Sequence, residues 1–124
     1  MRKIILSVSI LLSFTSLLKA QESSATKVFE YRPAPGQFIN LLPAYANGDN
    51  EQTICNKCLE AFKTTQLVSL GGFGGYIVVG FDHSIINVPG EYDFKIDANA
   101  MDGPYGISSE PGIVLGSVDS NRNR

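Results

Sequence analysis

The fold of this chain is decided by one stretch, residues 69–83, which runs Ser69-Leu70-Gly71-Gly72-Phe73-Gly74-Gly75-Tyr76-Ile77-Val78-Val79-Gly80-Phe81-Asp82-His83. Paired glycines lack Cβ atoms, so they suit places where the backbone turns tightly or where another strand passes close by. From Tyr76 to Phe81, apolar residues fall on both alternating sets of a strand, which predicts burial on both faces. We therefore predict a central strand in a two-layer β structure. A phosphate-binding loop is disfavoured, because the stretch has neither G-x-G-x-x-G spacing nor a following Gly-Lys-Ser/Thr.

One helix and several further strands are predicted around this stretch. Residues 51–63 carry apolar side chains at helical spacing, with Asp49 as the expected N-cap and Gln52 three residues later. Apolar and polar residues alternate with a period of two in Val28 to Tyr31 and in Tyr92 to Asn99. The alternation is clearest in Tyr92 to Asn99. Further β segments are predicted at 66–70, 84–88 and 113–118, and a loop at 101–110. The expected fold class is mainly β, a β-sandwich with one short α-helix near residues 50–63.

The N-terminus predicts export. Arg2 and Lys3 precede an apolar run from Ile4 to Leu18, and Ala20 supplies a small residue for cleavage. Because a membrane-spanning helix needs about 20 apolar residues, this run is better suited to a signal peptide than to an anchor. We expect a signal peptide over 1–20, a linker over 21–27 and a single partial domain over 28–124, with no transmembrane segment after cleavage and a secreted or cell-surface location.

Charge argues against nucleic acid as a partner. The chain has 10 basic and 12 acidic residues, a formal net charge of −2. Cleavage after Ala20 removes three of the basic residues and no acidic one, which leaves a net charge of −5. Neutralising phosphates requires clustered Lys and Arg, and the exported chain has no such excess.

The C-terminus contains candidate calcium ligands. Asp119, Asn121 and Asn123 stand at alternating positions, as oxygen ligands do in a calcium loop. The pattern asks for Gly where Arg124 stands, and for a later acidic ligand. A plain polar tail is the alternative, and we expect weak or absent calcium binding from this form of the chain.

Cys55 and Cys58 form a C-x-x-C pair on the predicted helix. Such a pair in an exported chain can be a redox disulfide of the thioredoxin type. No strong strand leads directly into it, however, and its centre is not Gly-Pro. Zinc would need two more ligands, while the chain has a single histidine. The favoured interpretation is a local disulfide, or two small apolar residues that pack one face of the helix.

The candidate ligand-binding residues lie at predicted strand ends or on the wet face. His83 is flanked by Asp82 and Ser84, but neighbours on a strand point to opposite faces, so no local catalytic triad is expected. We predict no catalytic residues. The side chains that can converge on a sugar or a cation are polar or acidic: Asp82, His83, Asp93, Asn99 and Glu110.

Several long motifs resemble one protein family. They are 34–38, the run 42–45 with Gly48-Asp49, the glycine strand through Ile85, 87–94, and 108–114. Together these motifs resemble the secreted "cell surface protein" family of gut-dwelling Gram-negative anaerobes, over Tyr31 to Asn123. The glycine strand is also similar to that of galactose-binding-like jelly rolls. The resemblance implies a jelly-roll module followed by further strands and often by PKD-type or immunoglobulin-like domains. It also implies encoding of some members beside corrinoid uptake systems, and no established catalytic activity. This chain is therefore expected to be an N-terminal fragment of such a protein.

These observations predict a noncatalytic, secreted or cell-surface binding module, with calcium as its candidate cofactor. Its expected ligand is a glycan or a surface partner, including a partner in corrinoid uptake. Two alternatives stay open. One is an exported thiol-disulfide oxidoreductase that uses Cys55 and Cys58. The other is a structural spacer in a multidomain surface protein.

Overall fold

The computed structural model of the chain describes residues 23–117. Five elements follow in order: β1 (Lys27–Arg32), α1 (Glu51–Lys63), β2 (Tyr76–Gly80), β3 (Met101–Gly103) and β4 (Gly106–Ser108). β1 pairs with β2 and β3 pairs with β4, both antiparallel, in two separate two-stranded sheets. The described residues thus form a small mixed α/β domain and do not make up a complete β-sandwich. The predicted signal peptide over 1–20 and the candidate calcium ligands Asp119, Asn121 and Asn123 lie outside the described residues.

The predicted helix is confirmed as α1, but its N-cap is displaced by one residue. Asn50 has an extended backbone, and its side-chain oxygen accepts the backbone N–H of Thr53 at 2.9 Å. The expected N-cap, Asp49, is wrong, because its carboxylate accepts instead from the backbone N–H of Ala46 at 2.7 Å and from Nζ of Lys57 at 2.6 Å. Asp49 therefore fastens the preceding loop to α1, while Asn50 caps the helix.

A β-bulge sets which side chains of β1 face the helix. The ladder pairs Val28 with Val79 and Glu30 with Val78, so Phe29 is the extra residue on β1. The bulge breaks the simple alternation, which puts Val28 and Tyr31 on one face of the sheet. Gly80 accommodates the Phe29 ring, because a Cβ at Gly80 would stand 2.5 Å from Cε2 of that ring.

The core lies between this face of the β1–β2 sheet and α1. Tyr31, Cys55 and Cys58 form the buried cluster. Five partly buried apolar residues pack around it: Val28, Ile54, Val68, Leu70 and Ile77. An ion pair between Arg32 and Glu51 joins the end of β1 to the first turn of α1. Residues 27–80 therefore hold the packed part of the molecule.

The prediction of a doubly buried central strand is wrong for the described residues. β2 forms as expected over most of its length, but its ladder partner is β1 alone among residues 23–117. Tyr76 keeps 41% of its surface exposed on one face and Val79 keeps 38% on the other. Apolar residues on both alternating sets show only that both faces of the strand are apolar. Burial of both faces also requires a neighbouring layer on each side.

The segments after β2 depart furthest from the predicted strands. Within 84–117, the structure assigns no strand at 84–88, 92–99 or 113–117, and places the β3–β4 hairpin inside the predicted loop at 101–110. Gly106, with φ of 114°, supplies the left-handed backbone that this turn requires. A period of two sets the facing of side chains, but a strand also needs a partner for its backbone N–H and C=O groups.

Candidate functional site

The paired glycines allow two loops to cross at very short range. The backbone N–H of Ala34 donates to Leu70 O at 2.9 Å, and that of Gly72 donates to Pro35 O at 3.1 Å. A Cβ at Gly71 would overlap the carbonyl oxygen of Ala34, and one at Gly36 would stand 2.5 Å from the nitrogen of Gly72. The prediction that these glycines serve close backbone approach is therefore confirmed.

Ser69 connects this crossing to the core and to the loop before α1. Its carbonyl accepts the phenol O–H of Tyr31 at 2.6 Å, and its backbone N–H donates to Leu42 O at 2.8 Å. Its hydroxyl donates to Gln37 O at 2.8 Å and accepts the N–H of Gly71 at 3.2 Å. The loop at 36–42 is thus tied to the glycine turn by several hydrogen bonds.

A concave site of about 200 Å³ opens beside this crossing. Its lining consists of two turns and one later residue: Gly36, Gln37, Phe38, Ser69, Gly71, Gly72 and Glu110. The lining offers an amide from Gln37 and a carboxylate from Glu110, and the Ser69 hydroxyl, whose proton is donated to Gln37 O, has one lone pair left to accept a further hydrogen bond. Phe38 has a backbone φ of 60° and leaves 56% of its surface exposed, so its ring is accessible at the edge of the site. We call these seven residues the glycine-turn site.

Glu110 is the predicted ligand residue that lines the glycine-turn site. Gln37, Phe38 and Ser69 were not among the predicted residues. The sequence signal for them was the Pro35-Gly36 turn and the glycine pair at 71–72, which marked two turns without indicating that they meet. The site therefore arises from a contact between segments about 35 residues apart in sequence.

Asp82 and His83 contact each other, contrary to the expectation from strand alternation. Asp82 Oδ1 and His83 Nδ1 lie 2.7 Å apart, and the rings of Phe81 and His83 have centroids 5.8 Å apart. The expectation is wrong because β2 ends at Gly80, so both residues lie in a bend where neighbouring side chains can converge. The contact orients the imidazole of His83.

The remaining predicted ligand residues are occupied locally or exposed. Asp93 accepts the backbone N–H of Val88 at 2.9 Å and so closes a turn. Asn99 lies on the exposed segment before β3. Among the described residues, no group of three or more His, Cys, Asp or Glu side chains is placed to hold a metal ion. The proposed calcium ligands at 119–123 stay a prediction.

Cys55 and Cys58 are buried free thiols on the inner face of α1. Cys58 is completely buried, and this desolvation, with a smaller contribution from Cys55, raises the pKa of Cys58 to about 12. Burial also raises the pKa of Cys55. A redox-active thiol needs the opposite, a stabilised and accessible thiolate. Burial on the inner face of α1 suits two small apolar residues that pack the helix, one of the two favoured interpretations, and the local disulfide stays a prediction.

A second concavity of about 410 Å³ lies between the loop at 41–44 and the C-terminal half of α1. Its walls are mainly apolar, from Leu41, Leu42, Pro43, Ala61 and Leu67. Lys57 at its rim is already bound to Asp49 and to the carbonyl oxygen of Ala44 at 3.0 Å. Its polar lining comes from Lys57, Glu60, Thr64 and Gln66.

Comparison with known proteins gives no family model and no curated protein that matches the chain. The glycine-turn site is consequently interpreted from its own geometry. Within residues 23–117, no helix combines the length and the hydropathy that crossing a membrane requires.

Proposed function

We propose that this chain is a noncatalytic glycan-binding module, secreted or displayed at the cell surface, and that the glycine-turn site holds the sugar. The observation that carries the proposal is the meeting of Gln37, Ser69 and Glu110 beside the exposed ring of Phe38. Sugar hydroxyls are recognised by such polar side chains, and the C–H face of a sugar ring packs on an aromatic ring.

The chemistry of the lining supports binding over hydrolysis. Glycoside hydrolysis generally uses two carboxylates on opposite sides of the glycosidic bond. Glu110 is the single carboxylate among the seven residues of the glycine-turn site. One carboxylate can accept hydrogen bonds from two sugar hydroxyls, which gives orientation without an acid–base pair.

The size and openness of the site support recognition of one or two sugar units. A cavity of about 200 Å³ is smaller than the sites that enclose drug-sized ligands. We therefore expect weak binding to a single sugar and stronger binding to ligands displayed in many copies, as on a cell surface.

Binding of the full chain to an immobilised glycan panel, with free galactose as competitor, tests this proposal. Glu110→Gln removes the charge at constant shape, and Phe38→Leu removes the aromatic face at similar volume. Each substitution is expected to weaken binding about tenfold, through the loss of a charge-assisted hydrogen bond or of ring stacking.

Matched controls lie on exposed residues outside the site. Glu91→Gln removes a carboxylate and Tyr105→Leu removes a fully exposed ring, and both should bind like the unmodified chain. Failure of the full chain to bind any glycan would overturn the proposal. Equal weakening by Glu91→Gln and Glu110→Gln would assign the effect to net charge. The glycine-turn site would then not be the place where the glycan binds.

A further inference from the structure

Residues 92–99 form an exposed segment with the alternation of a strand and no strand partner among the described residues. Tyr92 is fully exposed, and Phe94 and Ile96 leave 55% and 59% of their surfaces exposed. An extended segment whose backbone N–H and C=O groups have no ladder partner is a template for pairing with another chain.

Local contacts define where this segment begins and ends. At its start, Asp93 accepts the N–H of Val88 at 2.9 Å, and the N–H of Glu91 donates to Val88 O at 3.1 Å. At its end, the N–H of Ala100 donates to Ala98 O at 3.0 Å. Between them, Lys95 Nζ and Asp97 Oδ1 lie 2.6 Å apart, so these two side chains share one face, as residues two apart do on a strand.

We infer that the segment pairs antiparallel with the same segment of a second copy of this chain, with Ile96 opposite Ile96. In this register Lys95 of each copy stands opposite Asp97 of the other, which gives two opposite-charge pairs on the polar face. The amide of Asn99 stands opposite the carboxylate of Asp93 as a hydrogen-bond donor. The apolar face brings Phe94 opposite Ala98 on both sides of the central isoleucines.

Neighbouring registers are less favourable on the same residues. Centring the pairing on Lys95 places lysine opposite lysine and Asp93 opposite Asp97. Centring it on Phe94 pairs Asp93 with Lys95 but also places Glu91 opposite Asp97. Sliding one strand by a single residue from any of these registers puts the apolar face of one copy opposite the polar face of the other. The pairing centred on Ile96 joins opposite charges with no like-charge pair.

Sedimentation equilibrium of the full chain over a range of concentrations measures this association. Lys95→Glu places a second carboxylate opposite Asp97 in both symmetric positions, and Asp97→Lys does the same with two amines. Each is expected to weaken self-association about tenfold or more, because like charges directly opposite each other are destabilising. The double variant Lys95→Glu/Asp97→Lys exchanges the charges and is expected to restore it.

Mixing the two single variants separates the interface from any effect on folding. A copy with Lys95→Glu and a copy with Asp97→Lys have opposite charges at both cross-strand positions, so the mixture should associate where each variant alone does not. As a register test, Ile96→Cys should form a disulfide-linked dimer on mild oxidation, and Lys95→Cys should form it poorly. Because Cys55 and Cys58 are buried, the unmodified chain should form no disulfide-linked dimer under the same oxidation, which makes it the control.

Three results would overturn the inference. The first is a full chain that stays monomeric at every concentration. The second is association that Lys95→Glu and Asp97→Lys leave unchanged, and the third is a mixture of these variants that associates no better than each alone. Glycan binding is measured separately, and Lys95 lies outside the glycine-turn site. Any of these three results would therefore leave the proposed function standing.

Discussion

Gly71 shows how a single residue type fixes the geometry of this molecule. Its φ of 74° lies in the left-handed region, and its missing Cβ leaves room for the carbonyl oxygen of Ala34. Both constraints favour glycine, for independent reasons. The glycine-turn site depends on this contact, because the crossing of the two loops places Gln37 and Ser69 beside each other.

Gly71→Ala is expected to lower the free energy of unfolding by about 2 kcal/mol or more, since it combines a strained φ with overlap against backbone. Gly48→Ala is the matched control. Gly48 has a φ of 96° with no atom within 4 Å of the position of a Cβ, so that variant carries the strain alone, about 1 kcal/mol. Urea denaturation of both variants measures the difference. Equal losses at the two positions would contradict the close approach at Gly71.

At the scale of elements, α1 and the β1–β2 sheet stabilise each other. Asn50 caps the helix, and the Asp49–Lys57 ion pair ties the preceding loop to its surface. The Lys57 ammonium and the N–H of Ala46 lower the pKa of Asp49. Inside the interface, Cys58 packs against Tyr31 with its thiol fully buried. The helix therefore packs against the sheet through Cys55 and Cys58, the same two residues that the redox alternative would use.

The raised pKa of Cys58 predicts a loss of stability in alkali. With a folded pKa of about 12, the thiol stays protonated in the folded chain at pH values where the unfolded chain has lost that proton. Stability is then fully present below the unfolded pKa, near 8.5, and decreases toward pH 12 by up to about 1.4 kcal/mol per pH unit. Denaturant midpoints measured from pH 7 to pH 11 check this.

Cys58→Ala is expected to flatten that dependence and to cost about 1 kcal/mol at neutral pH, where only packing is lost. Cys55→Ala keeps the Cys58 thiol and should keep most of the slope. An unchanged slope in Cys58→Ala would assign the alkaline loss to other groups, among them Cys55 and Tyr31, because burial raises the pKa of both.

At the scale of the whole molecule, the described residues divide into a packed part and an exposed part. Residues 27–80 contain the core, whereas residues 84–117 are exposed throughout and hold only the β3–β4 hairpin as regular structure. Many large apolar side chains lie on this exposed part, among them Ile86, Tyr92, Tyr105, Ile113 and Leu115. Large exposed apolar patches are typical of interaction surfaces, and the self-pairing inferred for residues 92–99 would cover part of this one.

Limited proteolysis of the dilute chain should reveal this division. Chymotrypsin is expected to cut first after Tyr92, Phe94 and Tyr105, and much later after Tyr31, because cleavage requires backbone that is accessible without global unfolding. Mass spectrometry of a time course identifies the sites. Raising the protein concentration should protect Tyr92 and Phe94, which lie in the paired segment, and leave Tyr105 as the control. Early cleavage after Tyr31 would contradict the packed part described here.

The sequence by itself determined the local elements of this protein. Helical spacing placed α1, alternation placed most of β1, a continuous apolar run placed β2, and paired glycines marked a close backbone approach, because each property depends on a few consecutive residues. Tertiary structure alone decided which segments meet. It brought Gln37 to Ser69 and Glu110, put Cys58 beneath Tyr31, and left the alternating segment at 92–99 without a strand partner among residues 23–117. The physical reason is that alternation sets which way side chains face, whereas pairing and burial depend on residues distant in sequence.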